Sequence, residues 1–97
     1  MKVTWSPLAE RRARQAVDWI SQDRPEAAAK WLAELLEAVR KLDRMAMRGR
    51  MVPEVGRAEY REIFHAPYRI VYKVKNKEVV ILTIRHSRRA WDETEIP

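Results

Sequence analysis

The chain has no cysteine, only two glycines and two histidines, and a single phenylalanine among its 97 residues. Without cysteine there can be no disulfide and no thiolate metal site, and the composition suits a reducing compartment. No second histidine stands at metal-ligand spacing from His86, so no metal site and no cofactor are expected. Long apolar runs are also missing. Nothing approaches the ~20 apolar residues of a membrane span, and Met1-Lys2-Val3-Thr4-Trp5 does not open a secretory leader. A cytoplasmic location is expected. There is no internal repeat and no low-complexity segment.

What is present is globular in character: 46% hydrophobic and 35% charged residues, a mixture that excludes a disordered chain. A chain of this length is expected to form one domain, residues 1–97, burying about 60–68% of the surface its unfolded form exposes. The formal net charge of +6 favours nucleic acid, an anionic surface or an acidic protein as partner. Solubility alone is the opposing explanation, but the arginines are clustered rather than spread.

Lys2-Val3-Thr4-Trp5 reads as a short edge strand ending at Ser6-Pro7. Ser6 suits the helix N-cap and Pro7 the first helical position, where a missing N–H costs nothing. A helix follows to about Ser21, with Leu8, Ala13, Ala16, Val17 and Ile20 as its apolar stripe. Asp23 and Glu26 have capping-box spacing around Pro25, and a second helix is expected to run to about Met47. Its stripe is Ala28, Leu32, Leu35, Val39, Leu42 and Ala46, widened by Trp31 and Leu36. So short a turn makes the two helices an antiparallel hairpin, and neither can bury its stripe without a sheet.

Arg48 to Arg57 holds both glycines and reads as the one long irregular loop, a place where function often resides. Three strands follow: Glu59–Phe64, Tyr68–Lys75 and Glu78–His86. Tyr68, Ile70, Tyr72 and Val74 alternate with Arg69, Val71, Lys73 and Lys75, so they occupy opposite faces. The third strand is apolar on both faces from Val79 to Leu82, which argues for an interior position. Residues after Trp91 are acidic and are expected to fray.

The chemistry concentrates in these strands. Arg69 could grip a phosphate bidentately or stabilise charge developing on one. Equally, a tight turn at Ala66-Pro67 sets Glu62 opposite Val71, within diagonal reach of Arg69 for an ion pair. His86 could act as acid or base near pH 7, or as a structural hydrogen-bonder. If the chain were an RNase, Glu54 or Glu62 could remove the 2′-hydroxyl proton. Arg85, Arg88 and Arg89 form the densest positive cluster, suited to phosphate or to acidic side chains of a partner. Trp91 follows that cluster as a candidate stacking or contact residue, with packing as its alternative role.

The order of strand, helix hairpin, Gly/Pro/Arg loop and three closing strands resembles the RelE/ParE superfamily of type II toxin–antitoxin toxins. The resemblance rests on Tyr60-Arg61-Glu62-Ile63-Phe64, Tyr68-Arg69-Ile70-Val71-Tyr72 and Val79 through Arg89, and covers nearly the whole chain. Pro25-Glu26-Ala27-Ala28 and the Gly49–Glu54 loop look like the ParE-type branch. RelE-like toxins cleave mRNA in the ribosomal A site, whereas ParE-like toxins act on DNA gyrase without a nuclease site. RelE-like enzymes carry lysines on the strand preceding the Tyr-Arg strand; this chain has Arg61, Glu62 and His65 there and no lysine. They also often place a tyrosine after the basic cluster, where Trp91 stands.

The resemblance implies an α+β fold in the order β-α-α-β-β-β, with the helix hairpin on a small, mainly antiparallel sheet. It implies a ParE-like toxin that arrests growth through DNA gyrase and forms a hetero-oligomer with a neutralising antitoxin. The alternatives are a ribosome-dependent mRNA endonuclease using Arg69, His86, Arg61 and Glu62, and a basic interaction module without toxicity. Arg61, Arg69, Arg85, His86, Arg88, Arg89 and Trp91 are the residues expected to meet target or antitoxin.

Overall fold

A computed structural model describes residues 1–97. The chain forms β1 (Lys2–Trp5), α1 (Pro7–Ser21), α2 (Pro25–Arg40), β2 (Arg50–Met51), β3 (Tyr60–His65), β4 (Tyr68–Lys75) and β5 (Glu78–His86). Short 3-10 turns lie at Lys41–Asp43 and Glu93–Glu95. The five strands form one sheet in the order β1-β5-β4-β3-β2. β1 is an edge strand, parallel to β5, and every other pairing is antiparallel. The fold is α+β, with the helix hairpin covering one sheet face.

Ser6 does double duty at the start of α1. Its hydroxyl oxygen accepts from the Ala9 N–H at 3.0 Å, and its O–H donates to the Leu82 carbonyl at 2.8 Å. One side chain thus caps the helix and pins it to β5. The Asp23–Glu26 capping box does not form. The Asp23 and Arg24 N–H groups both return to the Ile20 carbonyl, so Asp23 is spent closing α1. Arg24 occupies the cap position without a side-chain bond, leaving Pro25 to open α2. The α-helix also ends at Arg40 rather than near Met47. Leu42 and Ala46 are nevertheless buried, so their helical spacing reported burial and not helix length.

Two further expectations are corrected. The Arg48–Arg57 loop contains β2, whose Arg50 and Met51 pair with Glu62 and Arg61. Gly49 precedes it because a β-carbon there would lie 2.5 Å from Tyr72 Oη and 2.6 Å from the Glu62 carbonyl oxygen. Residues after Trp91 do not fray: Glu95 is buried, and the Tyr60 hydroxyl donates to the Pro97 carbonyl at 2.8 Å.

The main core lies between the hairpin and the sheet, joining Ala9, Ala16, Leu35 and Val39 to Ile70, Tyr72 and Ile81. A smaller cluster of Val52, Tyr60, Val71 and Leu82 lies on the other face, under Val55, Trp91 and Ile96. A bulge in β5 assigns residues to these two layers. Tyr72 pairs with Ile81 and Val71 with Thr83, leaving Leu82 as the extra residue. Val79, Ile81 and Ile84 can therefore all face the helices although strict alternation forbids it. The same shift turns Thr83 and Arg85 toward the face away from the helices, beside Val71 and Arg69.

Candidate functional site on the open sheet face

Cross-strand register assembles the charged groups of this face. Arg69 lies between Phe64 on β3 and Arg85 on β5, and Glu62 lies opposite Val71. The Arg69–Glu62 diagonal follows from that register: Arg69 Nε donates to Glu62 Oε1 at 2.7 Å. Glu62 Oε2 accepts from Arg50 Nε at 2.6 Å. The two terminal nitrogens of Arg69 grip Glu54 in a fork, at 2.9 and 2.7 Å. The hydrogen bonds that Arg69 donates to Glu54, and then to Glu62, raise its pKa against the opposing effect of burial. The same Arg69 fork, again outweighing burial, holds Glu54 below the usual carboxylate range.

Trp91 closes over this network. The Arg69 and Arg85 guanidinium carbons lie 5.1 and 5.2 Å from its ring centroid, close enough for cation–π attraction to both. A cleft of about 320 Å³ opens beside Arg69, lined also by Arg50, Glu62, Ile63, Phe64 and Ser87. Its rim is well exposed: the Arg50 side chain retains 68% of its accessible surface and Phe64 retains 65%.

The remaining candidates are dispersed. Arg85 is only 1% exposed; it donates to Glu95 Oε1 at 2.7 Å and to the Ala90 carbonyl. It presents no charge to solvent. His86 faces the helices. Its ring meets Tyr68 edge-on at 5.5 Å, Tyr68 meets Trp31, and Trp31 meets His65. His86 Nδ1 accepts the Arg88 backbone N–H at 3.1 Å. Arg61 ties the loop before β3 to the sheet edge, donating to the Ala58 and Gly49 carbonyls at 2.8 and 3.2 Å. Arg88 is exposed, and Arg89 is half-exposed, 3.5 Å from Glu95.

This arrangement favours binding over proton transfer. Glu54 and Glu62 are both engaged by guanidinium groups, and Glu54, held below the usual carboxylate range, accepts a proton poorly. His86 points to the opposite face from Arg69, so acid, base and charge stabiliser do not converge. Glu95, Arg12, Thr83 and Arg50 are the participants that sequence reasoning missed. One signal was available: an acidic run (Asp92, Glu93, Glu95) follows a basic run (Arg85, Arg88, Arg89) closely enough to fold back on it.

Comparison with known proteins agrees with the architecture. The family profile described as ParE toxin of type II toxin-antitoxin system, parDE, matches residues 3–91. The chain is 33% identical over 95 residues to Y4kP, named as a candidate toxin, of Sinorhizobium fredii (strain NBRC 101917 / NGR234). That alignment covers 95% of this chain and 94% of the relative. A chain from the solved structure of the chromosomal ParDE TA system from P. aeruginosa superposes with a TM-score of 0.75 at 26% identity. It covers 89% of this chain and 95% of its counterpart.

Proposed function

The chain belongs to the ParE toxin family of type II toxin–antitoxin systems, and from that premise we propose that it arrests growth by engaging DNA gyrase until a cognate antitoxin neutralises it. Family membership implies an antitoxin partner in a complex. The gyrase target rests on the ParE-type character of the chain together with the chemistry of the sheet face. One observation carries this choice over mRNA cleavage: both candidate bases are clamped by arginine while His86 lies across the sheet from them. A surface so arranged grips a partner without moving protons.

In this reading Arg88, Arg89 and the Arg50–Phe64 rim meet target or antitoxin directly, and Arg69 with Trp91 holds the surface in shape. The net charge of +6 suits an antitoxin with an acidic segment. The proposed target goes with a cytoplasmic location. No helix is long and apolar enough to cross a membrane.

The deciding experiment is supercoiling by purified gyrase with increasing amounts of the protein. Inhibition is expected, with DNA-damage signalling upon expression in cells. Unaffected gyrase at saturating protein overturns the reading. Cleavage of ribosome-bound transcripts in arrested cells would move the assignment to the endonuclease. Growth arrest reversed by the neighbouring antitoxin excludes an inert basic module.

A further inference from the structure

Glu95 holds a position that its surroundings do not reserve for it. Its Oε2 meets Arg12 at 2.8 Å and Arg89 at 3.5 Å; its Oε1 accepts from Arg85 at 2.7 Å and from the Thr83 hydroxyl at 2.8 Å. None of these three arginines is paired with another carboxylate. Three guanidinium groups therefore bond one carboxylate, whose side chain is only 4% exposed, with the Asp92 carboxylate near enough to Arg85 and Arg89 to feel their charge. The Nε groups of Arg12 and Arg85 are buried without any acceptor. A buried donor left unpaired is costly, and both orphaned donors belong to arginines that bond the Glu95 carboxylate.

The walls and the occupant differ in how they are held. Thr83 and Arg85 lie on β5, inside the sheet, and Arg12 lies on α1. Glu95 lies on a one-turn 3-10 segment outside the sheet. That segment is tied down by Ile96 and Trp91 packing on the smaller cluster and by the Tyr60–Pro97 bond. Arg12, Thr83 and Arg85 belong to the scaffold; Arg89 follows the end of β5 on the connection that leads to the strap, and the carboxylate belongs to the strap itself.

We propose that Arg12, Thr83, Arg85 and Arg89 form a receptor for a tetrahedral oxyanion of the phosphate class, filled in cis by Glu95 when the strap is closed. A phosphate offers more acceptor oxygens than a carboxylate and up to twice the charge, matching the unpaired donors and the surplus of guanidinium groups. The site shares no hydrogen bond or ion pair with the Arg69–Glu62–Glu54 network, although Trp91 lies against both Arg69 and Arg85, and its test needs no gyrase. Its failure therefore leaves the target reading untouched.

The test uses the full chain carrying Glu95→Ala, titrated with inorganic phosphate or acetate against chloride at constant ionic strength, with thermal unfolding as readout. Phosphate should raise Tm by roughly 4–8 °C at about five times its Kd, more than acetate does. The unsubstituted protein, its cage already filled, should move far less. Adding Arg12→Gln to the Glu95→Ala chain should abolish the phosphate gain. Glu95→Gln supplies the same comparison with an amide oxygen kept for Thr83. No gain over chloride, an equal response from the unsubstituted protein, or acetate matching phosphate overturns the proposal. So does failure of both variants to fold at any phosphate concentration.

Discussion

Arg69 and Glu62 meet diagonally across β3 and β4 at 2.7 Å, and the buried Glu62 carboxylate takes its other hydrogen bond from the exposed Arg50. The inner partner, with its side chain 13% exposed, holds the geometry, while the outer one remains available at the cleft.

Replacing Arg69 with Ala therefore strands Glu62 with one solvent-facing partner and frees Glu54 and Trp91. Breaking a buried pair on one side costs about 3–5 kcal/mol, and retained Arg50 keeps this case near about 3. Urea unfolding measures it. A loss below about 1 kcal/mol would show that the network behaves as a surface ion pair.

Glu95 makes stability depend on acid. Burial pushes its pKa up, but the Thr83 hydroxyl and the Arg85 and Arg12 guanidinium groups outweigh burial and hold it below the ordinary carboxylate value. A folded-state pKa below the unfolded one stabilises the fold above the unfolded value, about 4.3, and that contribution is lost as pH falls through the folded value. Glu95→Gln should flatten this acid limb below about pH 4.3, the unfolded carboxylate value, while lowering stability at neutral pH. Parallel acid-unfolding curves for the two proteins would contradict it.

Tyr72 joins the segment after α2 to β2. Its hydroxyl donates to the Ala46 carbonyl at 2.7 Å and accepts the Gly49 N–H at 3.0 Å, both in the buried interior. Tyr72→Phe leaves both backbone groups without this partner, at about 1–3 kcal/mol each at most. Hydrogen exchange at Gly49 should accelerate well beyond the change at central β4 amides. Uniform acceleration across the sheet would instead indicate a global loss.

Arg88 is exposed, and its side chain makes no hydrogen bond or ion pair within the chain. Arg88→Glu should change folding stability by no more than about 0.5 kcal/mol. Affinity for the antitoxin should fall, and the difference between the two proteins should shrink as salt rises. Unchanged affinity at low salt would remove Arg88 from that interface.

The parts of the fold legible in sequence were those governed by neighbours along the chain. The Ser6-Pro7 cap, the alternation of β4 and the register across the Ala66-Pro67 turn each depend on a few adjacent residues, and the Arg69–Glu62 contact followed from them. β2 was invisible because two residues carry no period; its strand character comes from β3 alongside. The end of α2 was overshot because Leu42 and Ala46 keep the helical spacing into a turn that buries them by other means. Glu95 escaped notice because its meaning lies in Arg12, 83 positions away.

The parallel pairing of β1 with β5 has a consequence for the timing of synthesis. Lys2–Trp5 has no strand to join until Glu78–Ile81 has left the ribosome, so the nascent chain carries its hairpin without a finished platform beneath it. Under the proposed function, activity carried by the sheet face then begins only after translation has passed β5. That interval would give an antitoxin partner the opportunity to arrive first.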